Sequence, residues 1–554
     1  MRKKRILFCS EATFLNTGYA TYTREILKYL HGTGKYEIAE LAGYGEKNAP
    51  QASSIPWKYY GAAPNTTCEP RSSQEEIDSY NSVPSYQFGE FAFEHVCLDF
   101  FPDIVCDIRD FWMLDFVERS PFRPFFKWAI MPTVDARPQA RQWVATYESA
   151  DACFSYSDWA GDVLKDQSGG KINYLGSASP SAHPAYQPVE DRDAHRKKFG
   201  LDPDCKIIGT VMRNQRRKLY PDLFEAFSRF LSQSEDKNYL LYCHTSYPDL
   251  GWDIPELLQQ YELSSHVMFT YICAQTSKPF PSLFKGGVAQ SPYTGQYGAR
   301  LSNVKDGVSY EELSSIINLF DLYVQYANCE GFGLPQVEAA ACGVPVMGTD
   351  YSAMESVLRK LGGVPITPKA LYKELETGCL RAVPDNNLAA IKFKEFFDKP
   401  RSMRRKLGFE TRRAFEKHYQ WHISGKQWED YFDSVELIPD EIGWKSQPRI
   451  RQPEPKPEQM PEVGHREMGR WLVTKVLCEP ERVNTFFEAR LIRDLMYQCT
   501  TATTGGMYFN ESSAAFDSKN TRTPFNFDNA YEHLVSLCNR RNKWEQQRWE
   551  RVNA

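Results

Sequence analysis

Glu330-Gly331-Phe332-Gly333-Leu334-Pro335-Gln336-Val337-Glu338-Ala339 is the stretch whose reading decides the architecture of this chain. It sets two carboxylates eight positions apart, with two glycines where a helix would begin. The apolar run Asp321-Leu322-Tyr323-Val324-Gln325-Tyr326 precedes it and reads as a strand. Ala339 to Ala341 continue the helix, Gly343 and Pro345 end it, and Val346-Met347-Gly348 reads as the next strand. Strand, glycine loop and short helix make an anion cradle in an α/β domain, because first-turn N–H groups have no partner within the helix. Glu330 then lies in the loop and Glu338 about two turns further on. One acid can face a reacting centre while the other meets a hydroxyl-rich ligand. The plainer alternative is an ordinary helix–strand turn carrying two surface glutamates.

Upstream, Lys206-Ile207-Ile208-Gly209-Thr210-Val211-Met212 reads as the opening strand of the same domain, followed by Arg213-Asn214-Gln215-Arg216-Arg217-Lys218. Four cations in six residues just past a strand create a local positive field. A doubly wound sheet binds its ligands beyond the carboxyl ends of its strands, which is where this run falls. Pro221 and a helix over 222–231 come next, and Tyr239 to His244 and Val267 to Tyr271 continue the strand series. Residues 274–307 interrupt it with Gly, Pro, Ser and Lys, an insertion able to shape the mouth of either substrate site. Ser309-Tyr310-Glu311-Glu312 reads as a cap with acidic first-turn residues, opening a helix that reaches Leu319.

The Glu330–Glu338 segment resembles the paired-glutamate motif of the retaining GT-B glycosyltransferases, specifically glycosyltransferase family 4 (glycosyl transferases group 1). The resemblance implies an α/β protein of two Rossmann-like domains facing each other across a cleft. It implies transfer of a sugar from a nucleotide diphosphate sugar to a hydroxyl, with retention at the anomeric carbon. Glu330 would then lie by the transferred sugar and Glu338 would bind the nucleotide ribose. In the family an Arg and a Lys five apart clamp the donor diphosphate, and Arg213 and Lys218 match that spacing. Gly331, Phe332, Gly333 and Leu334 would line the donor site, with their amides and the two cations stabilising the departing diphosphate. The implied donor is a UDP-sugar, with UDP-glucose the first guess because it is common in the family. No metal is required where cations already hold the phosphates, and no DxD-like triad stands at a strand end.

The first third of the chain supplies the other half of such a cleft. Ile6-Leu7-Phe8-Cys9 reads as a strand, Asn16-Thr17-Gly18 as a turn, and the next segment as a helix with Tyr22, Ile26, Leu27 and Leu30 on one face. This opening resembles the first unit of a GT-B domain, where a glycine loop admits substrate, and so marks Gly18. The dinucleotide fingerprint is absent, which sets aside a nicotinamide enzyme. The Pro-, Ser- and Asn-rich stretch from Ala49 to Gln87 reads as an inserted loop. Ile104 to Cys106, Phe126 to Met131 and Ala152 to Ser155 read as strands, with Ser157 or Asp158 capping the helix that follows. The family often places a His after a middle strand. Here Asp107-Ile108-Arg109-Asp110 and Met131-Pro132-Thr133-Val134-Asp135 contain none, so Asp110 or Asp135 either takes over acceptor contact or merely caps a helix.

At 554 residues the chain exceeds one hydrophobic core. The expected division is an acceptor-side domain over 1–190, a hinge between about 180 and 203, and a nucleotide-sugar domain over 203–409. Helices over 410–434 would return to the first domain. A proline-rich tract over 445–463 reads as a stiff exposed linker, and 464–554 as a small helical module outside the resemblance. Arg540, Arg541, Lys543, Arg548 and Arg551 beside Trp544 and Trp549 leave contact with DNA open, though a basic helix end without that role is the simpler reading. The net charge of -5 neither demands nor excludes a polyanionic partner. Fourteen scattered cysteines and the lack of a long apolar segment lead to an expectation of a cytoplasmic protein without a membrane span. The acceptor stays open between glycan, protein and hydroxylated DNA base. Phosphorylase-like chemistry lacks a recognisable lysine for its cofactor. A catalytically silent GT-B scaffold acting as a binding protein is the remaining alternative, against which Glu330, Glu338, Arg213 and Lys218 argue.

Overall fold

The computed structural model describes residues 2–303, 307–458, 465–480 and 527–553, with the backbone alone of four short strands between 502 and 522. Its first sheet comprises β1 (Arg5–Glu11), β2 (Glu37–Glu46), β3 (Lys58–Ala63), β4 (Ile104–Arg109), β5 (Lys127–Pro132), β6 (Ala152–Ser155) and β7 (Tyr174–Ser177). They pair in the order β3-β2-β1-β4-β5-β6-β7, every neighbouring pair parallel. The near-continuous burial of β1 and β4 is what a parallel strand covered on both faces requires. The cover comes from α1 (Gly18–Thr33), α2 (Gln74–Asn81), α3 (Phe91–Phe100), α4 (Phe111–Arg119), α5 (Arg141–Ser149) and α6 (Asp158–Ser168). Tyr22, Ile26, Leu27 and Leu30 are indeed the buried stripe of α1, and Ser157 caps α6 by accepting the Ala160 N–H.

Residues 49–87 are not a plain loop. They hold β3, a parallel edge strand, and α2, because the Lys58-Tyr59-Tyr60 side chains suit a half-exposed edge that polar flanking sequence disguises.

After α7 (Arg192–Lys198) the second sheet begins with β8 (Lys206–Val211), β9 (Tyr239–His244) and β10 (Val267–Ile272). The insertion then adds β11 (Pro279–Leu283), β12 (Val288–Gln290) and β13 (Tyr297–Leu301), which extend β10 antiparallel. Residues 304–306 of that insertion lie outside the described residues. β14 (Leu322–Gln325), β15 (Val346–Thr349) and β16 (Val364–Ile366) complete the parallel part, in the order β10-β9-β8-β14-β15-β16. A separate hairpin of β17 (Pro368–Lys373) and β18 (Leu380–Pro384) leaves the domain toward the first one. The helices are α8 (Tyr220–Gln233), α9 (Ile254–Gln260), α10 (Tyr310–Ile317), α11 (Leu334–Ala341), α12 (Ala353–Leu361) and α13 (Asn386–Phe397). α10 opens on a reciprocal capping box between Ser309 and Glu312.

The charged segment from Arg401 is two helices, α14 (Arg401–His418) and α15 (Trp421–Ser434), broken at Tyr419, whose ring packs against Phe332. α14 stays on α11 and α12, so close that a Cβ on Gly408 would lie 2.3 Å from the Gly343 carbonyl oxygen. α15 lies on the first domain. There the Trp428 indole donates to the Tyr22 hydroxyl at 2.9 Å, and the Tyr36 hydroxyl donates to Asp433 at 2.6 Å.

Beyond it, the helical turn 472–477 that follows α16 (His465–Trp471) packs on α17 (Phe527–Asn553), burying Leu472, Val476, Leu477, Ala530 and Leu534 in one small core. The module is not wholly helical, since 502–503 pairs with 521–522 and 508–510 with 515–517. Residues 459–463 of the proline tract, and 464 and 481–501 of the module, lie outside the described residues. The rest of the tract is not free-standing: the Arg449 and Arg451 N–H groups donate to Glu545 and Asn542 of α17, at 3.0 and 2.9 Å.

Candidate active site

The basic run after β8 is laid along the end of β14. Leu219 N–H donates to the Tyr326 carbonyl at 3.1 Å and Asn328 N–H to the Arg217 carbonyl at 3.0 Å. This stitching carries Arg217 and Lys218 to Glu330, five residues past β14. The Lys218 ammonium donates to Glu330 Oε1, Gln325 Nε2 donates to the same oxygen at 2.8 Å, and Arg217 Nη1 donates to Oε2 at 2.7 Å. Burial, with the Arg217 guanidinium alongside, pulls the Lys218 ammonium well below its ordinary range, while the carboxylate against it opposes that shift. Arg213 is not part of this group. Its guanidinium forks onto Asp249, Nε to Oδ2 at 2.8 Å and Nη2 to Oδ1 at 3.0 Å.

Glu330 is also held through its backbone, whose N–H donates to Ser352 Oγ at 2.9 Å. Ser352 is fully buried with φ 56° and ψ -153°, a conformation that disfavours any side chain and marks stored strain beside the site. Gly333 caps α11 at φ 85°, which glycine alone adopts cheaply, and a Cβ there would come within 2.4 Å of Gln336 Nε2. The first-turn amides of α11 have no capping side chain. Among the described residues, neither amide atom of the buried Gln336 side chain has a partner. Phe332 is buried on Tyr419 and Leu334 packs into the same core, so both position the loop. Glu338 is buried lower on α11, beside the Tyr186 hydroxyl of the interdomain connection. Burial pushes its carboxyl up to about 7, against the lowering effect of the Tyr186 hydrogen bond.

The first domain presents the carboxyl ends of β1, β4 and β5. The Tyr19 and Thr133 hydroxyls share a 2.7 Å hydrogen bond, and both bond to Asp110. Burial raises the Asp110 carboxyl to about 6, with the two hydroxyls and the Arg217 guanidinium across the cleft opposing the rise. Asp110 stands where a cap of α4 would stand but makes no capping bond. Asp135 accepts from Arg381 of β18 at 2.9 Å and from the Cys329 thiol at 3.3 Å. With Leu380 N–H donating to the Arg137 carbonyl at 2.8 Å, these contacts tie the β17–β18 hairpin across the cleft. The domains approach closely at Gly331, where a Cβ would lie 2.5 Å from Thr133 Cγ2. Gly18 opens α1 behind the Thr17 cap, and a Cβ there would meet nothing within 4 Å, so no packing demand makes it glycine.

Sequence reasoning thus singled out Lys218, Glu330 and Gly331, which meet here, and Arg213, which faces elsewhere. It passed over Arg217, Tyr19, Thr133 and Ser352. Arg217 carried a signal in its adjacency to Lys218; Ser352 carried none.

The basic, aromatic end of α17 is committed within the molecule. Trp544 packs on His95 at 4.8 Å, and Arg541 and Arg551 donate to the carbonyls of Arg119 and Leu98 at 3.1 and 3.3 Å. Arg548 is fully buried, donating to the carbonyls of Trp444 and Ser446 and to Glu545. These four side chains serve docking on the first domain, whereas Arg540 and Lys543 of the same helix are exposed. Among the described residues no three His, Cys, Asp or Glu side chains gather as a metal-binding group, and no helix is long and apolar enough to cross a membrane.

Residues 302–397 match the model of the Glycosyl transferases group 1 family, a stretch that contains Glu330, Gly331, Gly333 and Glu338. No curated protein sequence matches the chain. Sucrose-phosphate synthase from Thermosynechococcus elongatus superposes with a TM-score of 0.55 at 17% identity, covering 78% of this chain and 98% of that one. HepE from Anabaena in complex with UDP-glucose gives 0.51 at 11%, covering 78% and 100%. An E. coli structure described as trehalose-6-phosphate bound with UDP-2-fluoro glucose gives 0.51 at 13%, covering 78% and 100%. At such identities the likeness defines the architecture. The fold is GT-B, with a partly helical C-terminal region beyond it.

Proposed function

We propose that this chain is a retaining glycosyltransferase of the family 4 type, moving a sugar from a nucleotide diphosphate sugar to a hydroxyl acceptor. The observation that carries the reading is the meeting of Lys218 and Glu330 near the uncapped start of α11, across from the Thr133–Asp110 edge of the first domain. The group 1 match over the same helix supports it, as do neighbours of this fold with UDP-glucose or its 2-fluoro analogue bound. The donor is accordingly proposed to be a UDP-sugar, with UDP-glucose first. Thirteen described cysteines, all free, fit a reducing, cytoplasmic setting.

In this reading the donor diphosphate lies against Lys218 and the first-turn amides of α11. Glu330 accepts hydrogen bonds from the sugar, and Glu338 from the ribose hydroxyls. As the bond from the anomeric carbon to the phosphate oxygen lengthens, negative charge grows on the leaving diphosphate, and the preorganised cation and amides stabilise it. Positive charge grows on the sugar beside Glu330. The acceptor hydroxyl enters on the same face, oriented by Asp110, and passes its proton to the departing phosphate oxygen. One bond from carbon to oxygen breaks, one forms, and configuration is retained. No protein nucleophile or metal is invoked. Asp135, tied to Arg381, closes the cleft rather than touching the acceptor. Glycan or protein hydroxyls are favoured over a DNA base, because Arg541, Arg548 and Arg551 of α17 donate to backbone carbonyls of this chain.

Calorimetry against a panel of UDP-, GDP- and ADP-sugars, coupled to a turnover assay for the released nucleotide, tests this. One nucleotide sugar should bind selectively, and Glu330→Gln should keep that binding while losing turnover. If the intact protein binds and turns over none of them, the reading fails.

A further inference from the structure

The resemblance assigns the donor phosphates to Arg213, yet the geometry gives that residue a different occupation. Its guanidinium forks onto Asp249, whose side chain is 5% exposed and also accepts from the Ser246 hydroxyl and the Leu250 N–H. Pulling Arg213 into the cleft would take from the Asp249 carboxylate, whose side chain is 5% exposed, its guanidinium partner, which is costly. Arg217 stands differently. Its carbonyl is anchored by Asn328 N–H and its ion pair among the described residues is to Glu330 Oε2, while its side chain is 44% exposed, as is that of Arg213. Arg217 lies within electrostatic reach of Asp110 and Cys329, so it stands between the two domains, whereas Arg213 is held by Asp249.

Resting on the donor reading above, we infer that Arg217, and not Arg213, supplies the guanidinium that grips the donor β-phosphate, and that it does so by leaving Glu330. The exchange is balanced at the carboxylate. Oε1 keeps Lys218 and Gln325, while Oε2, given up by Arg217, becomes free to accept a sugar hydroxyl. A guanidinium can bridge two phosphate oxygens as it bridges a carboxylate, so the move trades one anion for another. Donor arrival then both seats the diphosphate and readies Glu330. A ligand without a β-phosphate would leave the Arg217–Glu330 pair in place.

The test is calorimetry of UDP and of UMP with wild type, Arg217→Gln, Arg217→Lys and Arg213→Gln, with thermal denaturation as the folding control. Arg217→Gln should weaken UDP by about tenfold to a hundredfold, the scale of a lost charged hydrogen bond, and leave UMP within about threefold. Arg217→Lys should recover part of the loss for UDP. Arg213→Gln should change neither ligand by more than about threefold. Loss of UDP in Arg213→Gln, alone or equally with Arg217→Gln, overturns the inference, as does equal loss of UDP and UMP in Arg217→Gln. A wild-type protein that binds no UDP refutes the donor reading itself, before any variant is made.

Discussion

Replacing Glu338 by glutamine should make the protein more stable and less able to hold its donor. The buried carboxyl is pushed from its ordinary 4.5 to about 7, and at about 1.4 kcal/mol per pH unit that amounts to about 3 kcal/mol against the charged form. The sign follows from linkage. A carboxyl whose folded value is raised favours the native state while protonated, and the benefit is lost as pH rises through the folded value. Wild type should therefore lose about 2–3 kcal/mol from this site between pH 5 and pH 8. Glutamine keeps an oxygen to accept the Tyr186 hydroxyl and never ionises. Glu338→Gln should thus exceed wild type by about 2–3 kcal/mol at pH 8 and by about 1 kcal/mol or less at pH 5, read as denaturation midpoints at both pH values. UDP affinity at pH 8 should fall by about tenfold, the loss of a charged acceptor for a ribose hydroxyl. A variant destabilised alike at both pH values would refute the electrostatic argument. One that gained stability and kept UDP affinity would refute the ribose role.

Gly331→Ala should force the domains apart, because the new methyl meets Thr133 Cγ2 at 2.5 Å, and should cut turnover by about tenfold or more; Thr133→Ser in the same chain removes that methyl and should restore it. Ser352→Ala should cost about 1–3 kcal/mol through the lost Glu330 N–H partner, whereas Ser352→Gly should be closer to neutral because relief of the φ 56° strain offsets that loss; thermal melts compare them. Asp110→Asn should remove an acidic limb near pH 6 from the pH profile of kcat, a limb wild type should show because its carboxyl, raised to about 6, is protonated below that pH. Arg548→Met strands Glu545 in a buried site and should release α17 at a cost of about 3–5 kcal/mol, seen as faster proteolysis between 447 and 458.

Much of the molecule was legible in its residues. The apolar runs at Ile6, Ile104, Tyr239 and Val346 became parallel strands of the two sheets, and the α1 stripe and the Ser309 cap formed where periodicity and capping chemistry place them. These are local properties, fixed by which backbone groups lack partners and which side chains avoid water. Glu330 and Lys218 were legible for the same reason, since a glycine loop at a helix start and cations at a strand end are local signals. Segments whose partners lie far off in sequence read badly. β3 needed β2 to become a strand, and β11 to β13 needed β10.

By itself the sequence determined two strand-and-helix domains and a cationic, acidic site at the strand ends of the second. Only the tertiary structure decided which arginine reaches Glu330, that Asp110 shares its hydroxyl partners with the cleft edge, and that Arg541 and Arg548 of α17 are spent on docking. Arg213 and Arg217 are alike in type and nearly alike in position. What separates them is a buried carboxylate at Asp249, brought near by folding, which captures one and leaves the other facing the cleft.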